Sequence, residues 1–177
     1  IMTKHFIDFD NLSFEVLQDI IDCAIALKKQ HNESAINNSL KNKTLAMIFD
    51  KSSTRTRVSF EAGMAQLGGH ALFLSNNDIQ LGRGEPITDS AIVISSMVDA
   101  VILRISSHED IIEFSKHSNK PVINALSDLS HPCQILADLM TYQEQKGSIN
   151  GKKVAWIGDG NNVCQTYMQA AELFGFE

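Results

Sequence analysis

The chain has 177 residues, of which 44% are hydrophobic and 20% charged, and its formal net charge is -6. A chain of this length can bury a core large enough for one large domain, or for one domain and part of another. The negative charge argues against a nucleic-acid surface, which needs a basic face. No apolar stretch reaches the roughly 18 residues that cross a bilayer, and charged residues interrupt the opening segment where a signal peptide is apolar. We therefore expect neither secretion nor a membrane partner.

The three cysteines, Cys23, Cys133 and Cys164, are widely spaced and form no Cys-x-x-Cys pair. This usage is typical of reduced thiols in a cytoplasm, and it supplies no zinc framework. The sequence therefore predicts a cytoplasmic protein without a structural metal.

Hydrophobic spacing predicts that helices and strands alternate along most of the chain. Helices are predicted over 14–28, 58–67, 87–98 and 109–117, and strands over 45–49, 71–75, 100–103 and 121–124. This order predicts an α/β fold in which helices cover both faces of a parallel sheet. Ligands of such folds bind beyond the carboxyl ends of the strands.

A domain boundary is predicted where a long helix that begins at Pro132 runs into the polar stretch 143–152. We assign residues 1–146 to a first domain and residues 147–177 to the start of a second. In the second, a strand over 154–157, a glycine turn and a helix over 164–174 predict the first βα unit of a Rossmann-like domain.

Two guanidinium groups and three hydroxyls occur together where the first strand gives way to a helix, in Ser53-Thr54-Arg55-Thr56-Arg57. Ser52, Ser53 and Thr54 are candidates for the N-cap of that helix. Its unpaired amides and its dipole favour an anion, and arginines add charge-assisted hydrogen bonds. The motif therefore predicts a phosphate site, although arginines at a capped helix can also be merely solvated or paired with carboxylates.

Residues that follow the other strands should meet this motif at the same edge of the sheet. Arg104 ends the third strand, and His131-Pro132-Cys133-Gln134 opens the long helix after the fourth. A carbonyl oxygen that becomes an oxyanion would be stabilised by three groups aimed at it: an arginine, a hydroxyl, and an imidazole that is protonated or donates a hydrogen bond. The amide oxygen of Gln134 could accept from an NH2 group. Phosphate, carbonyl and NH2 together describe carbamoyl phosphate.

The sequence resembles the aspartate and ornithine carbamoyltransferase family through the three motifs just described. Cys133 resembles the ornithine branch, because the aspartate branch typically has Thr there. The segment Trp156-Ile157-Gly158-Asp159-Gly160-Asn161-Asn162-Val163 also looks like ornithine carbamoyltransferase. The resemblance covers essentially the whole chain but only the first half of the family's length. The family's Asp-x-x-x-Ser-Met-Gly segment and His-Cys-Leu-Pro loop, which bind the amino acid, are not found in these residues.

This resemblance implies roles for individual residues. The phosphate contacts would come from Ser53, Thr54, Arg55 and Thr56. The catalytic residues would be Arg104, which bridges the phosphate and the carbonyl oxygen, and His131, which completes the carbonyl contact with Thr56. Gln134 would hold the carbamoyl NH2, and Asn162 would contact the backbone of ornithine. Gln80 matches a position that reaches a neighbouring subunit's phosphate site, which implies a homotrimer. Arg57 is expected to serve as a structural charge.

The implied reaction transfers a carbamoyl group from carbamoyl phosphate to the δ-amine of ornithine and gives citrulline and phosphate. It requires no cofactor. These residues alone are expected to bind carbamoyl phosphate without efficient turnover. Three alternatives stay open: a non-catalytic module that binds anions or trimerises, an enzyme for putrescine or acylated ornithine, and an NAD-binding fragment. The last is disfavoured, because Val163 stands where a dinucleotide fingerprint has its third glycine.

Overall fold

A four-stranded parallel sheet lies at the centre of the computed structural model, which describes residues 5–10, 12–75 and 85–177. The strands are arranged in the order β2-β1-β3-β4. In chain order they are β1 (Thr44–Phe49), β2 (His70–Ser75), β3 (Ala100–Arg104) and β4 (Val122–Leu126). The helices of the described residues are α1 (Phe14–Asn32), α2 (Thr54–Gln66), α3 (Ile87–Met97), α4 (His108–His117), α5 (Pro132–Lys146) and α6 (Asn162–Phe174). This parallel α/β architecture confirms the predicted fold class.

Both faces of the sheet are buried, as the predicted order requires. Successive side chains of a strand point to opposite faces. Ala46 and Ile48 of β1 therefore pack in one cluster with Phe114 of α4, and Leu45 and Met47 pack in another with Met64 of α2. Because β1 lies between two neighbours and has a helix layer on each side, its apolar run is almost continuous.

A third cluster lies between helices and joins the end of the chain to its beginning. Ala170 and Phe174 of α6 pack with Ile135 of α5 and Leu17 of α1. The α6 helix is therefore part of the same packed body as the first helix. The domain division at residue 146 stays a prediction, although α5 ends there and Gly147 follows with a φ of 78°.

The predicted start of the second helix, at residue 58, is wrong by about one turn. The α2 helix begins at Thr54, and Ser53 is its N-cap, with its hydroxyl accepting a hydrogen bond from the Thr56 amide at 3.4 Å. The apolar pattern begins late because the first turn is made of polar residues that face the edge of the sheet. The phosphate motif therefore forms the first turn of the helix itself.

The predicted strand over 154–157 is also wrong. These residues have no regular structure, and Ile157 is 95% exposed. The Val154 amide donates to the Glu177 carbonyl at 2.7 Å, and no strand of the described residues lies alongside the segment. A parallel strand needs neighbours for its backbone groups, so an apolar run alone does not make one. The helix of that predicted unit does form, as α6.

No helix in the described part of the chain has both the length and the apolar character of a membrane span.

Two glycines of α2 and its C-terminal turn provide a matched test of this packing. A methyl group added at Gly63, inside the helix, meets nothing within 4 Å. One added at Gly68 would lie 2.8 Å from the Asn38 side-chain oxygen, at a φ of +79°. Gly63→Ala should raise the free energy of unfolding by about 0.5–1 kcal/mol, whereas Gly68→Ala should lower it by more than about 1 kcal/mol. Urea denaturation measures both, and a loss of stability in Gly63→Ala would contradict the described environment.

Candidate functional site

The carboxyl ends of β1 and β3 bring the phosphate motif and Arg104 together. Phe49 and Arg104 are register partners in the parallel pair, so the residues that follow β1 lie beside the end of β3. The Arg104 guanidinium donates from Nη1 to the Thr56 hydroxyl at 3.2 Å. The Ser53 hydroxyl in turn lies 3.0 Å from the Thr56 hydroxyl. Three of the predicted residues thus form one hydrogen-bonded group at the start of α2.

The two arginines of the motif have different environments. Arg57 is 2.9 Å from the Glu61 carboxylate through its Nε and lies 3.9 Å above the Phe73 ring. Its guanidinium is therefore paired with a carboxylate of α2 and stacked on a ring of β2, as expected for a structural role. Arg55 is exposed, and its side chain makes no hydrogen bond or ion pair with another residue of the described ranges. Arg55 is the arginine of the motif that is available to a ligand.

Arg104 is a half-buried cation whose charge is only partly compensated. Burial lowers the pKa of its guanidinium, the Asp50 carboxylate opposes that change, and the Arg55 charge adds to it. Its Nε is buried and has no hydrogen-bond partner in the described part of the chain. Arginine stays charged under these conditions. Two cations and the amino end of α2 therefore face one another, an arrangement that an anion stabilises.

His131 precedes α5 and is held through its backbone. The His131 amide donates to the Thr166 hydroxyl of α6 at 2.9 Å, and the imidazole makes no capping hydrogen bond. Burial, with the Arg104 charge, lowers the pKa of His131 from 6.5 to about 4. The imidazole is therefore neutral at neutral pH in the unliganded chain, which favours the neutral hydrogen-bond donor over the protonated form. Its Nδ1 is buried and has no hydrogen-bond partner among the described residues.

Gln134 follows His131 in the first turn of α5, and the Asp138 carboxylate of the same helix acts on both side chains. The exposed Gln134 amide donates to Asp138 Oδ1 at 2.9 Å, and the Asp138 charge partly opposes the fall in the pKa of His131. Cys133 points the other way: its thiol lies 3.4 Å from the Asn124 carbonyl, and burial raises its pKa to about 12. The Cys133 thiol is therefore not a nucleophile at neutral pH.

The remaining predicted residues lie apart from this group or outside the described ranges. Asn162 begins α6 and donates its amide nitrogen to the Ser127 carbonyl at 2.6 Å, so that nitrogen already holds the loop between β4 and α5. Its contact with ornithine stays a prediction. Gln80 lies outside the described residues. The described residues contain no group of three or more His, Cys, Asp or Glu side chains that could hold a metal ion.

Sequence reasoning missed a chain of polar side chains beneath the β4–α5 loop. Asp8 Oδ2 lies 3.7 Å from His108 Nε2, and His108 Nδ1 lies 2.8 Å from the buried Ser127 hydroxyl. The Ser127 hydroxyl accepts from the Ser130 amide at 3.1 Å, and the Ser130 hydroxyl lies 3.3 Å from that of Thr166. These residues come from four separated segments, so no spacing along the chain signals them. They fix the loop that carries His131.

A parallel α/β sheet with an electropositive rim at its carboxyl edge is typical of domains that bind phosphorylated ligands. Residues 4–144 match the family model described as the carbamoyl-P binding domain of aspartate/ornithine carbamoyltransferase. The chain belongs to this aspartate/ornithine carbamoyltransferase family.

Several relatives and solved structures with similar sequences are named ornithine carbamoyltransferase. The chain is 69% identical to the curated enzyme of Ruthia magnifica over 176 residues, which are 99% of this chain and 59% of that protein. The structure of the Burkholderia thailandensis enzyme is similar with a TM-score of 0.94 and 49% identity, covering 98% of this chain and 60% of that one. The structure of the Pyrococcus furiosus enzyme has a TM-score of 0.95 and 48% identity, and the match covers 97% of this chain and 55% of that one. The chain thus spans somewhat over half the length of the proteins it matches.

The neutral state of His131 has a measurable effect on stability. Since its pKa is about 4 in the folded chain and 6.5 when the imidazole is fully solvated, the unfolded chain takes up the proton first as the pH falls. Its contribution to the free energy of unfolding is therefore present above pH 6.5 and is lost progressively towards pH 4. His131→Asn should lack this part of the pH dependence. Urea denaturation of both proteins across this range measures it, and a difference between them that stays constant with pH would contradict the buried neutral imidazole.

Proposed function

We propose that this chain binds carbamoyl phosphate and carries the carbamoyl-phosphate half of an ornithine carbamoyltransferase. The observation that supports the proposal most directly is the Arg104–Thr56 contact beside the exposed Arg55, at the amino end of α2. A dianion at this point would meet two cations, two hydroxyls and unpaired helix amides. The match of residues 4–144 to a carbamoyl-P binding domain supports the same ligand.

In this proposal the protein supplies polarisation and positioning, and the amine of the substrate is the nucleophile. The nitrogen lone pair of the ornithine δ-amine attacks the carbamoyl carbon, and the carbonyl becomes an oxyanion. Arg104, the Thr56 hydroxyl and the neutral His131 would donate hydrogen bonds to that oxygen. The bond between carbon and the bridging oxygen then breaks, phosphate leaves with the electron pair, and the nitrogen loses a proton. Citrulline and phosphate are the products.

The partner and the cellular location belong to the same proposal. Gln80, by resemblance, would reach the phosphate site of a neighbouring copy in a homotrimer. A strictly monomeric protein by light scattering at high concentration would contradict that shared site.

All three cysteines are free thiols, which supports a cytoplasmic location.

Substitution of the two arginines of the motif should have different effects on ligand affinity. Arg55→Ala should weaken binding of a stable phosphonoacetyl analogue by roughly 10- to 150-fold, because it removes a charge-assisted contact of about 1.5–3 kcal/mol. Arg57→Ala is the matched control: its charge is paired with Glu61 and stacked on Phe73, so its loss should change stability more than affinity. Calorimetric titration measures both. Unchanged affinity in Arg55→Ala would overturn the phosphate assignment.

The 177-residue chain should bind carbamoyl phosphate without turning it over efficiently. Orientation of two reactants can supply on the order of 7–11 kcal/mol of rate acceleration, and the family segments that orient the amino acid are not in this sequence. Carbamoyl phosphate should therefore raise the melting temperature, by mass action, and ornithine should add no further shift. Thermal denaturation and a citrulline assay test this. Citrulline formation at an ordinary enzymatic rate would show that the amine is positioned by the first half of the protein.

A further inference from the structure

One carboxylate holds both Gln134 and a residue of α6. Asp138 lies one helical turn after Gln134 on α5, and its Oδ1 accepts from the Gln134 amide nitrogen at 2.9 Å. Its Oδ2 accepts from the Tyr167 hydroxyl at 2.8 Å. Each oxygen of Asp138 therefore has a donor, and the donors come from different helices.

The chemistry of Asp138 determines which end of the Gln134 amide faces it. An ionised carboxylate is only an acceptor, whereas an amide has a donor end and an acceptor end that can exchange by rotation. The NH2 end of Gln134 must therefore face Asp138. The carbonyl oxygen Oε1 is then turned away from the carboxylate and stays free to accept from another group.

Tyr167 keeps the carboxylate in place. Burial and the hydrogen bond to Asp138 both raise the pKa of the Tyr167 phenol, so it stays a protonated donor at neutral pH. Its ring packs in the cluster shared by α1, α5 and α6, and it lies 6.1 Å from the Trp156 ring between centroids. The hydroxyl is thus presented from a packed ring, which limits rotation of Asp138.

We propose that Asp138, held by Tyr167, is a positioning residue that fixes the Gln134 amide so that its oxygen accepts a hydrogen bond from the NH2 of the bound carbamoyl group. The inference rests on the proposed function and adds a basis for selectivity. A ligand with CH3 in place of NH2 has no donor for Gln134 and leaves its oxygen unpaired. The site therefore distinguishes carbamoyl phosphate from acyl phosphates of the same shape.

Two stable ligands that differ only in this group make the inference testable. Phosphonoacetamide carries the NH2, and acetonylphosphonate carries CH3 in its place, while both share the phosphonate and the carbonyl. The unmodified protein should bind the amide more tightly, on the order of 2- to 12-fold, as expected for one neutral hydrogen bond. Calorimetric titration gives the ratio of the two dissociation constants.

Asp138→Asn should bring this ratio to about 1, because an asparagine can donate as well as accept and no longer fixes the Gln134 amide. Its loss of charge acts on both phosphonates alike and cancels in the ratio. When Asp138→Asn is added to the variant Gln134→Leu, the ratio should not change further, because Asp138 affects it only through Gln134 and the two substitutions are then not additive. Tyr167→Phe should lower the ratio by less than Asp138→Asn does. If Asp138→Asn does not fold, Tyr167→Phe tests the inference in its place.

The outcomes separate this inference from the proposed function. Binding of both phosphonates with a ratio that neither Asp138→Asn nor Tyr167→Phe changes would overturn the role of Asp138 and leave the carbamoyl phosphate site standing. Equal affinities in the unmodified protein would overturn it as well. Failure of the unmodified protein to bind either phosphonate, or inorganic phosphate, would overturn the proposed function itself.

Discussion

The hydrogen bond between Arg104 and Thr56 is the contact on which the candidate site depends. It joins the end of β3 to the first turn of α2, and so sets a half-buried cation against the amino end of a helix. Both carry positive charge, and the exposed Arg55 adds more. Without a ligand these positive charges repel one another, and the Asp50 carboxylate offsets the repulsion only in part. An anion relieves the repulsion, which is the physical reason for expecting a phosphate there.

The other side of the site is held by polar groups that water does not reach. Ser127, Ser130 and Thr166 are buried, and their hydroxyls bond to one another and to backbone groups of the β4–α5 loop. A buried polar group that lost its partner would cost about 1–3 kcal/mol, so these contacts restrict the loop to one conformation. The imidazole of His131 is kept neutral in the same region by burial and by the Arg104 charge.

The α6 helix contributes more to this site than its position in the chain suggests. Asn162 bonds to the Ser127 carbonyl, Thr166 to the His131 amide, and Tyr167 to Asp138. All three contacts support residues of the β4–α5 loop or of α5 and none belongs to the phosphate motif. The helix that the sequence assigns to a second domain therefore stabilises the side of the candidate site that carries His131 and Gln134, while the side that carries Arg55 and Arg104 is formed by β1, α2 and β3.

The sequence by itself determined the fold class and the residues at the rim. Apolar periodicity is a local property that directly reports burial, so β1 and β3 were predictable. The hydroxyls and arginines grouped after a buried strand predict an anion site from the same local sequence, and the structure brings Ser53, Thr56 and Arg104 together. Gly158 and the apolar run before it suggested a strand that does not form, because a strand needs partners that its own sequence cannot specify. Only the tertiary structure decided the protonation of His131, the engagement of Arg57, and the links from His108 to Ser127 and from Tyr167 to Asp138. These depend on burial and on contacts between distant segments, and chain order records neither.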